Sequence, residues 1–517
     1  MPTPRSRGGA PLAHVPINLP GFRGLNKQAE AGLLDPSWAT KLNNTTLDSA
    51  GRLSARKGFN NLTTGFTAGE DFLSIHCDTT NDVLYASSEN YLWRSADGGD
   101  NWTNVTGATT MGAGGGQFLD FNNTVVYVNE GQKPAVWGGS TFANIADANA
   151  PTGGVGLAAF GRLWITTSTG KSFKYCAILD ETDWTSADTG LIDTTSIAAI
   201  EDTITALASH NGTLWVFGKY QIIAFDDQTG SVLGVDPLQM AVTDYIPGSG
   251  CIARDTLAAI KGDLWFLSNT GLMSLGRLVQ GRSNPVVNLS LYVQDYLSSL
   301  HSRNADKTEL CGIYVPTESI YLLSIPYTSG TTEQGRALAF DTRSVMEDGA
   351  ARVVGVWDWL VPTCVCTNPV GTLIFSQRTI TGKVGEYAGY LDNNSQYTMD
   401  YESGWSDMGD PHTKILKRIT TNFLLESAVT VTLKWSFDFT NQFSYRQLAF
   451  TGSATPAYWG VGEWGTSEWN GGRITEERNF SPGGSGEYIK IGFAAQVSGS
   501  NLTLQNMSTY SKIGRLK

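Results

Sequence analysis

One short apolar template, repeated along the chain, restricts what these 517 residues can fold into more than any other feature. It reads "DVLYAS" (82–87), "TVVYVN" (124–129), "GRLWIT" (161–166), "GTLWVF" (212–217), "GDLWFL" (262–267), "ESIYLL" (318–323) and "GTLIFS" (371–376). Each copy has one or two turn residues, an apolar pair, a large or aromatic residue, and a further strand former. The copies start 37 to 56 residues apart, the scale of a four-stranded propeller blade. Several run through a short polar turn into a second strand, as in "LWVFGKYQIIAFDD" and "LYASSENYLWRSADGG". Charged residues are only 16% of the chain and glycine reaches 58, a balance suited to many short strands joined by tight turns. The template predicts an all-β chain built around a β-propeller of about seven blades, with six or eight also compatible. A series of β-sandwiches is the alternative.

The stretch "SADGGDNW" follows the first repeat. Glycines and acid or amide side chains this dense mark a tight turn between strands. The spacing Ser95-x-Asp97-x-Gly99-x-x-Trp102 resembles the Asp-box, a hairpin motif of propeller blades. The resemblance implies that Asp97 caps backbone N–H groups of its turn and that Trp102 packs into the blade. Since Asp-boxes occur in sialidases and in many other propellers, the motif points to an architecture and leaves activity open.

Other stretches break the beat. "SNPVVNLSLYVQDYLSSLHSR" (283–303) sets Leu289, Val293, Tyr296, Leu297 and Leu300 near helical spacing and predicts a short amphipathic helix over the propeller. After residue 400 the template is missing, while "AVTVTLKWSFDF" alternates as a sandwich strand does. The expected division is an N-terminal extended segment (1–60) packing on the platform, a propeller (61–398) and a β-sandwich-like C-terminal domain (399–517), with the N-terminal segment joining the C-terminal region in forming the sandwich. The piece "AYWGVGEWGTSEWNGG" (457–472) reads as a long loop whose Trp459, Trp464 and Trp469 are candidate partner contacts.

No catalytic constellation emerges. The five histidines form no H-E-x-x-H and no close His/Cys set, and neither a G-x-S-x-G elbow nor a P-loop occurs. Cys364 and Cys366, two residues apart on one strand, lack a second ligand pair for a metal. Six cysteines in a chain whose opening shows no apolar signal segment read as reduced, buried thiols. No cofactor and no metal is expected. The formal net charge of -12 argues against gripping nucleic acid by phosphate neutralisation, but suits a wall past which nucleic acid slides. Asp97, Asp100, Asp226 and Asp227 are read as turn carboxylates and candidates for such a wall.

The N-terminal stretch "VPINLPGFRGLNKQAEAGLLDPSWATKLNNTTLDSAGRLSARKGF" (15–59) places Gly24, Leu25, Asn26 and Gln28 before Asn43 and Asn44, Gly51 and Leu53, and Arg56 with Gly58. This order over about 45 residues resembles the opening of the tail nozzle proteins (tail tubular protein B) of short-tailed bacteriophages. The resemblance implies a structural, non-enzymatic virion protein made in the host cytoplasm. It further implies a self-assembled ring of about six copies at the distal end of the portal–adaptor tail, through which viral DNA is retained and then ejected. Its partners would be other copies, the tail adaptor, a tail fibre or spike, and DNA passing without sequence-specific binding. Two alternatives stand beside it. A sialidase-like propeller glycosidase predicts an arginine- and carboxylate-lined pocket on the propeller axis. A tail receptor-binding module predicts contact through the three loop tryptophans.

Overall fold

The computed structural model describes residues 12–18, 22–30, 32, 34–62, 71–112, 114–195, 197, 202–227, 240–281, 288–303, 309–329, 332–378, 384–440, 442–452 and 473–514. They form two compact units: residues 60–351 with 358–387, and residues 1–59 with 352–357 and 388–517.

The first unit is a seven-bladed β-propeller. Blade 1 runs through Phe72–Asp78, Val83–Ser88, Leu92–Ser95 and Thr103–Asn104, and blade 2 through Gln117–Phe121, Thr124–Val128, Ala135–Trp137 and Phe142–Asn144. Blade 3 holds Gly156–Ala159, Arg162–Thr166, Ser172–Tyr175 and Gly190–Asp193; blade 4 holds Ile204–His210, Thr213–Gly218, Gln221–Asp227 and Met240–Pro247. Blade 5 has three strands, Ala258–Ile260, Asp263–Ser268 and Gly271–Ser274, and blade 6 contributes Cys311–Val315, Ile320–Ser329 and Thr332–Val345. Blade 7 joins Cys364–Thr367, Leu373–Ser376 and Val384–Glu386 to Asn60–Leu62, a strand from ahead of blade 1. This pairing of the two ends of the propeller closes the ring.

Every copy of the template lies on the second strand of a blade. The reason is visible in the packing. Alternate side chains of one strand point to opposite faces, and here each face meets a different neighbouring blade. Val83 and Tyr85 pack with blade 2, while Leu84 and Ala86 pack with blade 7. Leu163 and Ile165 turn towards blade 2 and Trp164 towards blade 4. Leu214 and Val216 join blade 3, whereas Trp215 and Phe217 join blade 5. A strand buried on both faces must be apolar throughout. The turn before it is set by backbone geometry. Asn122–Asn123, Phe160–Gly161, Asn211–Gly212 and Lys261–Gly262 all have positive φ at both positions, as the two-residue type I′ hairpin requires.

The amphipathic segment forms a helix at Gln294–His301 that buries Leu297 and Leu300, with Leu289 and Val293 buried ahead of it. A further short helix, Leu275–Gln280, is capped by the Ser274 hydroxyl, which accepts from the Arg277 N–H at 3.2 Å. All six cysteines are free and buried. Burial pushes the Cys77 thiol up to about 11 and those of Cys176, Cys251 and Cys364 up to about 12. The native protein is therefore expected to leave a disulfide reagent such as DTNB unreacted, and to release six equivalents after denaturation. Rapid labelling of the native chain would contradict this.

The second unit is a β-sandwich. One sheet orders Ile474–Phe480, Lys414–Leu425, Leu502–Ile513, Leu53–Ala55 and Thr45–Leu47, with Leu12–Asn18 along Leu502–Ile513. The other contains Trp38–Asn43, Tyr397–Ser403, Ile489–Val497, Val429–Phe437 and Ser444–Phe450. Phe423 of the first sheet meets Phe493 of the second edge to face at 5.1 Å. The N-terminal segment supplies strands to both sheets, in keeping with a sandwich expected to form from the C-terminal region together with the N-terminal segment. The structure ends the propeller at residue 387 where the sequence reading sets 398.

Candidate functional site

Three places bear on the readings of the sequence. The first is the Asp-box turn. Ser95 ends the third strand of blade 1, and its hydroxyl accepts the Gly99 N–H at 3.0 Å while donating to Asp97 Oδ1 at 2.7 Å. Asp97 also accepts the Asn101 N–H at 3.0 Å and its side-chain amide at 2.7 Å. The Asn101 N–H, the Asn101 amide and the Ser95 hydroxyl together hold the Asp97 carboxyl down at about 2. A carboxyl lowered on folding stabilises above its unfolded pKa near 4, and that contribution fades as pH falls towards 2.

Trp102 donates its indole N–H to Gly99 O at 2.9 Å and is 5% exposed. It lies among Phe72, Leu84 and Trp93 of blade 1 and Ile374 and Val384 of blade 7. Gly99 has φ +105, and a Cβ there would come within 2.7 Å of Leu62 Cδ1 on the closing strand. The box therefore sits at the seam where the ring closes, with Ser95, Asp97, Asn101 and Trp102 bonded within their own turn. Cys364 and Cys366 share this apolar core. Among the described residues, no group of three or more His, Cys, Asp or Glu side chains is placed to hold a metal ion.

The second place is the propeller axis. A cavity of about 540 Å³ is lined by inner residues of blades 1, 2, 4, 5, 6 and 7. A second, of about 420 Å³, is lined by turns of blades 2, 3 and 4, and both touch Arg254 and Asp255. Arg254 lies on a single 3-10 turn, Arg254–Thr256, leading into blade 5. Its guanidinium pairs with Asp255 at 2.7 and 2.9 Å and donates to Gly154 O at 2.8 Å and to Gly116 O at 3.0 Å. One side chain thus ties blades 5, 3 and 2 together. Arg254 is the single arginine among the residues lining the two cavities, and Asp255 already takes its charge. His76, which lines the larger cavity, is 2.8 Å from Asp120.

The third place is the N-terminal part of the sandwich. Gly24 has φ +96 and lies against Val353, where a Cβ would be 2.5 Å from the carbonyl oxygen. Leu25 and Leu53 are core residues, and the Asn26 side chain caps the Gln28 and Ala29 N–H groups at 2.9 and 3.0 Å. Asn44, at φ 54, donates to Thr398 O at 2.8 Å and accepts from Arg56 Nε at 3.0 Å. Arg56 is fully buried and forms a two-pronged pair with Asp392, both bonds 2.7 Å. Its guanidinium carbon stands 4.2 Å over the Tyr397 ring. Gly58 fits against Leu391, whose carbonyl oxygen would be 2.0 Å from a Cβ. Asp392 belongs to "LDNNSQY", whose Asn393–Asn394 pair makes a tight turn with positive φ at both residues.

The remaining candidates divide. Asp100 stays in the Asp-box turn, but Asp226 and Asp227 end the strand Gln221–Asp227 and pair with the next strand, so they are not turn residues. Their polar side chains follow an apolar run, which reads as a turn until the strand partner is known. Trp459, Trp464 and Trp469 lie outside the described residues.

No protein-family model matches the chain, and no curated protein matches it in sequence. Solved structures do align with it. BamB from Moraxella catarrhalis aligns at 10% identity and TM-score 0.38, over 69% of this chain and 95% of that one. The extracellular domain of a candidate one-component system from B. thetaiotaomicron aligns at 11% identity and TM-score 0.41, over 78% and 58%. The fold assignment rests on the sheet order described above.

Proposed function

We propose that this chain is a structural component of a short-tailed bacteriophage tail, a ring-forming nozzle through which DNA is held and then released. The observation that carries the reading is the fate of the N-terminal residues. Gly24, Leu25, Asn26, Asn44, Leu53, Arg56 and Gly58 each serve a distinct structural purpose in one β-sandwich. The resemblance to the nozzle family therefore falls on a coherent building block rather than on scattered coincidences.

Two further observations fit. Arg254 bridges blades 5, 3 and 2 where both cavities meet it, which fits a conduit for DNA between copies of the chain instead of through one propeller. A net charge of -12 lets phosphates pass without ion pairs that would have to be broken. The glycosidase alternative calls for several arginines converging on a substrate carboxylate, and the axial lining supplies one, already committed. The receptor-binding alternative rests on tryptophans outside the described residues.

Virus particles assembled without this chain are expected to package DNA, lose it on storage and fail to infect. Particles lacking the chain that keep their DNA and infect normally would overturn the reading.

A further inference from the structure

Along Ile489–Val497 the even-numbered residues face away from the sandwich core, as do Thr398 on one neighbouring strand and Thr430 and Thr432 on the other. Ladder register sets Gln496 opposite Thr398, and Ala494 opposite both Asp400 and Thr432. Thr432 in turn faces Gln447 on Ser444–Phe450. Gly492 and Ala494 are the shortest residues of this face, so the middle strand lies low between taller rows. The result is a trough of about 320 Å³.

Both ends of the trough are built. Past Gly492 it is closed by Lys434, which pairs with Asp400 at 2.5 Å and with Glu402 at 2.6 Å. A Cβ on Gly492 would be 3.0 Å from Lys434 Cε. At the other end stand the connections 426–428 and 498–501, joined by a hydrogen bond between the Ser427 and Ser500 hydroxyls.

None of the described residues that line the trough is charged. Hydroxyls and carboxamides supply its polar groups, and Ala428, Ala494 and Val497 are among its apolar ones. Gln496 donates to Thr398 Oγ1 at 2.8 Å. The side chains of Thr430, Thr432 and Gln447 bond to none of the described residues. Two residues before Gln447, and on the same face, Tyr445 is 63% exposed.

These properties select a ligand. A charged one needs an opposite charge in the site; the lining offers none, and Lys434 is already held by two carboxylates. An apolar one would strand three unbonded polar side chains. Hydroxyls and carboxamides both donate and accept, as the hydroxyls of a sugar do. The C–H face of a sugar has Ala494 to lie on and the Tyr445 ring to stack against. The volume stands at the small end of the range for ligand sites, about 300–1,000 Å³.

We propose that this trough binds a neutral saccharide, hydrogen-bonded by Thr432, Gln447 and Gln496 and flanked by Tyr445. The site lies within the sandwich and does not depend on the nozzle reading. It stands or falls by glycan binding, whereas the nozzle stands or falls by assembly in the virus particle.

The test is binding of the full chain to an array of neutral oligosaccharides, with sialylated and sulfated glycans alongside, followed by calorimetry with the best-bound neutral glycan. Gln447→Ala and Tyr445→Ala should each weaken that binding by about tenfold, the loss of one good contact. Ala494→Leu, which fills the trough, should abolish it. Both Gln447 and Tyr445 are exposed, so their variants should keep the wild-type urea midpoint, which separates a lost contact from a lost fold. A chain that binds no neutral glycan overturns the proposal, as does one that binds only the sialylated or sulfated ones. So does binding that survives Gln447→Ala and Ala494→Leu unchanged, since the sugar would then sit elsewhere.

Discussion

Asp392→Ala is expected to destabilise the sandwich by about 3–5 kcal/mol, because it strands a buried guanidinium. Arg56 is fully buried, and Asp392 supplies two of its hydrogen bonds. Asn44 Oδ1 and Lys57 O, which also accept from Arg56, are neutral and cannot replace a counter-charge. Removing the pair as a unit should cost less. Arg56→Met with Asp392→Leu leaves no unpaired charge, and apolar replacement of a buried ion pair is often close to neutral. Urea unfolding of the three chains decides it. A single Asp392→Ala variant with the wild-type midpoint would show that water or another group carries the charge.

Trp102→Ala should be comparably costly, about 3–5 kcal/mol for a large buried side chain, and its effect should be local. The indole fills the core shared by blades 1 and 7, against the strands that the closing segment completes. Hydrogen exchange should therefore accelerate at Asn60–Leu62 and Val384–Glu386 well before it does in blade 4. Asp97→Ala acts in the same direction with a smaller effect, since Asp97 works at the surface through its own turn. Uniform loss of protection around the propeller would contradict a seam at this position.

How far the sequence alone reaches can be seen at this seam. Blade second strands are legible because burial on both faces removes polar residues, and the hairpins ahead of them need left-handed residues. The Asp-box is legible because all its partners lie within eight residues, Ser95 to Trp102. The closing strand is not. Asn60–Leu62 reads as a short polar stretch, and only pairing with Val384–Glu386, more than 300 residues away, makes it a strand.

The same holds for Arg56 and Asp392, 336 residues apart. Arg56 sits in a motif that the sequence singles out, while its partner lies in "LDNNSQY", which reads as an ordinary turn. Arg254 gave no signal at all, since an arginine beside an aspartate is ordinary until the fold sets it among three blades. Leu275–Gln280 was equally hidden, because six residues are too few for helical periodicity to show. What stays illegible is long-range, polar and short.

The central claim, that this chain is a nozzle ring of a phage tail, is tested most directly by its copy number in purified virus particles. Quantitative mass spectrometry against the major capsid protein gives that number. The ring reading predicts about six copies per particle. Absence of the chain from particles, or a count well above one ring, would contradict it.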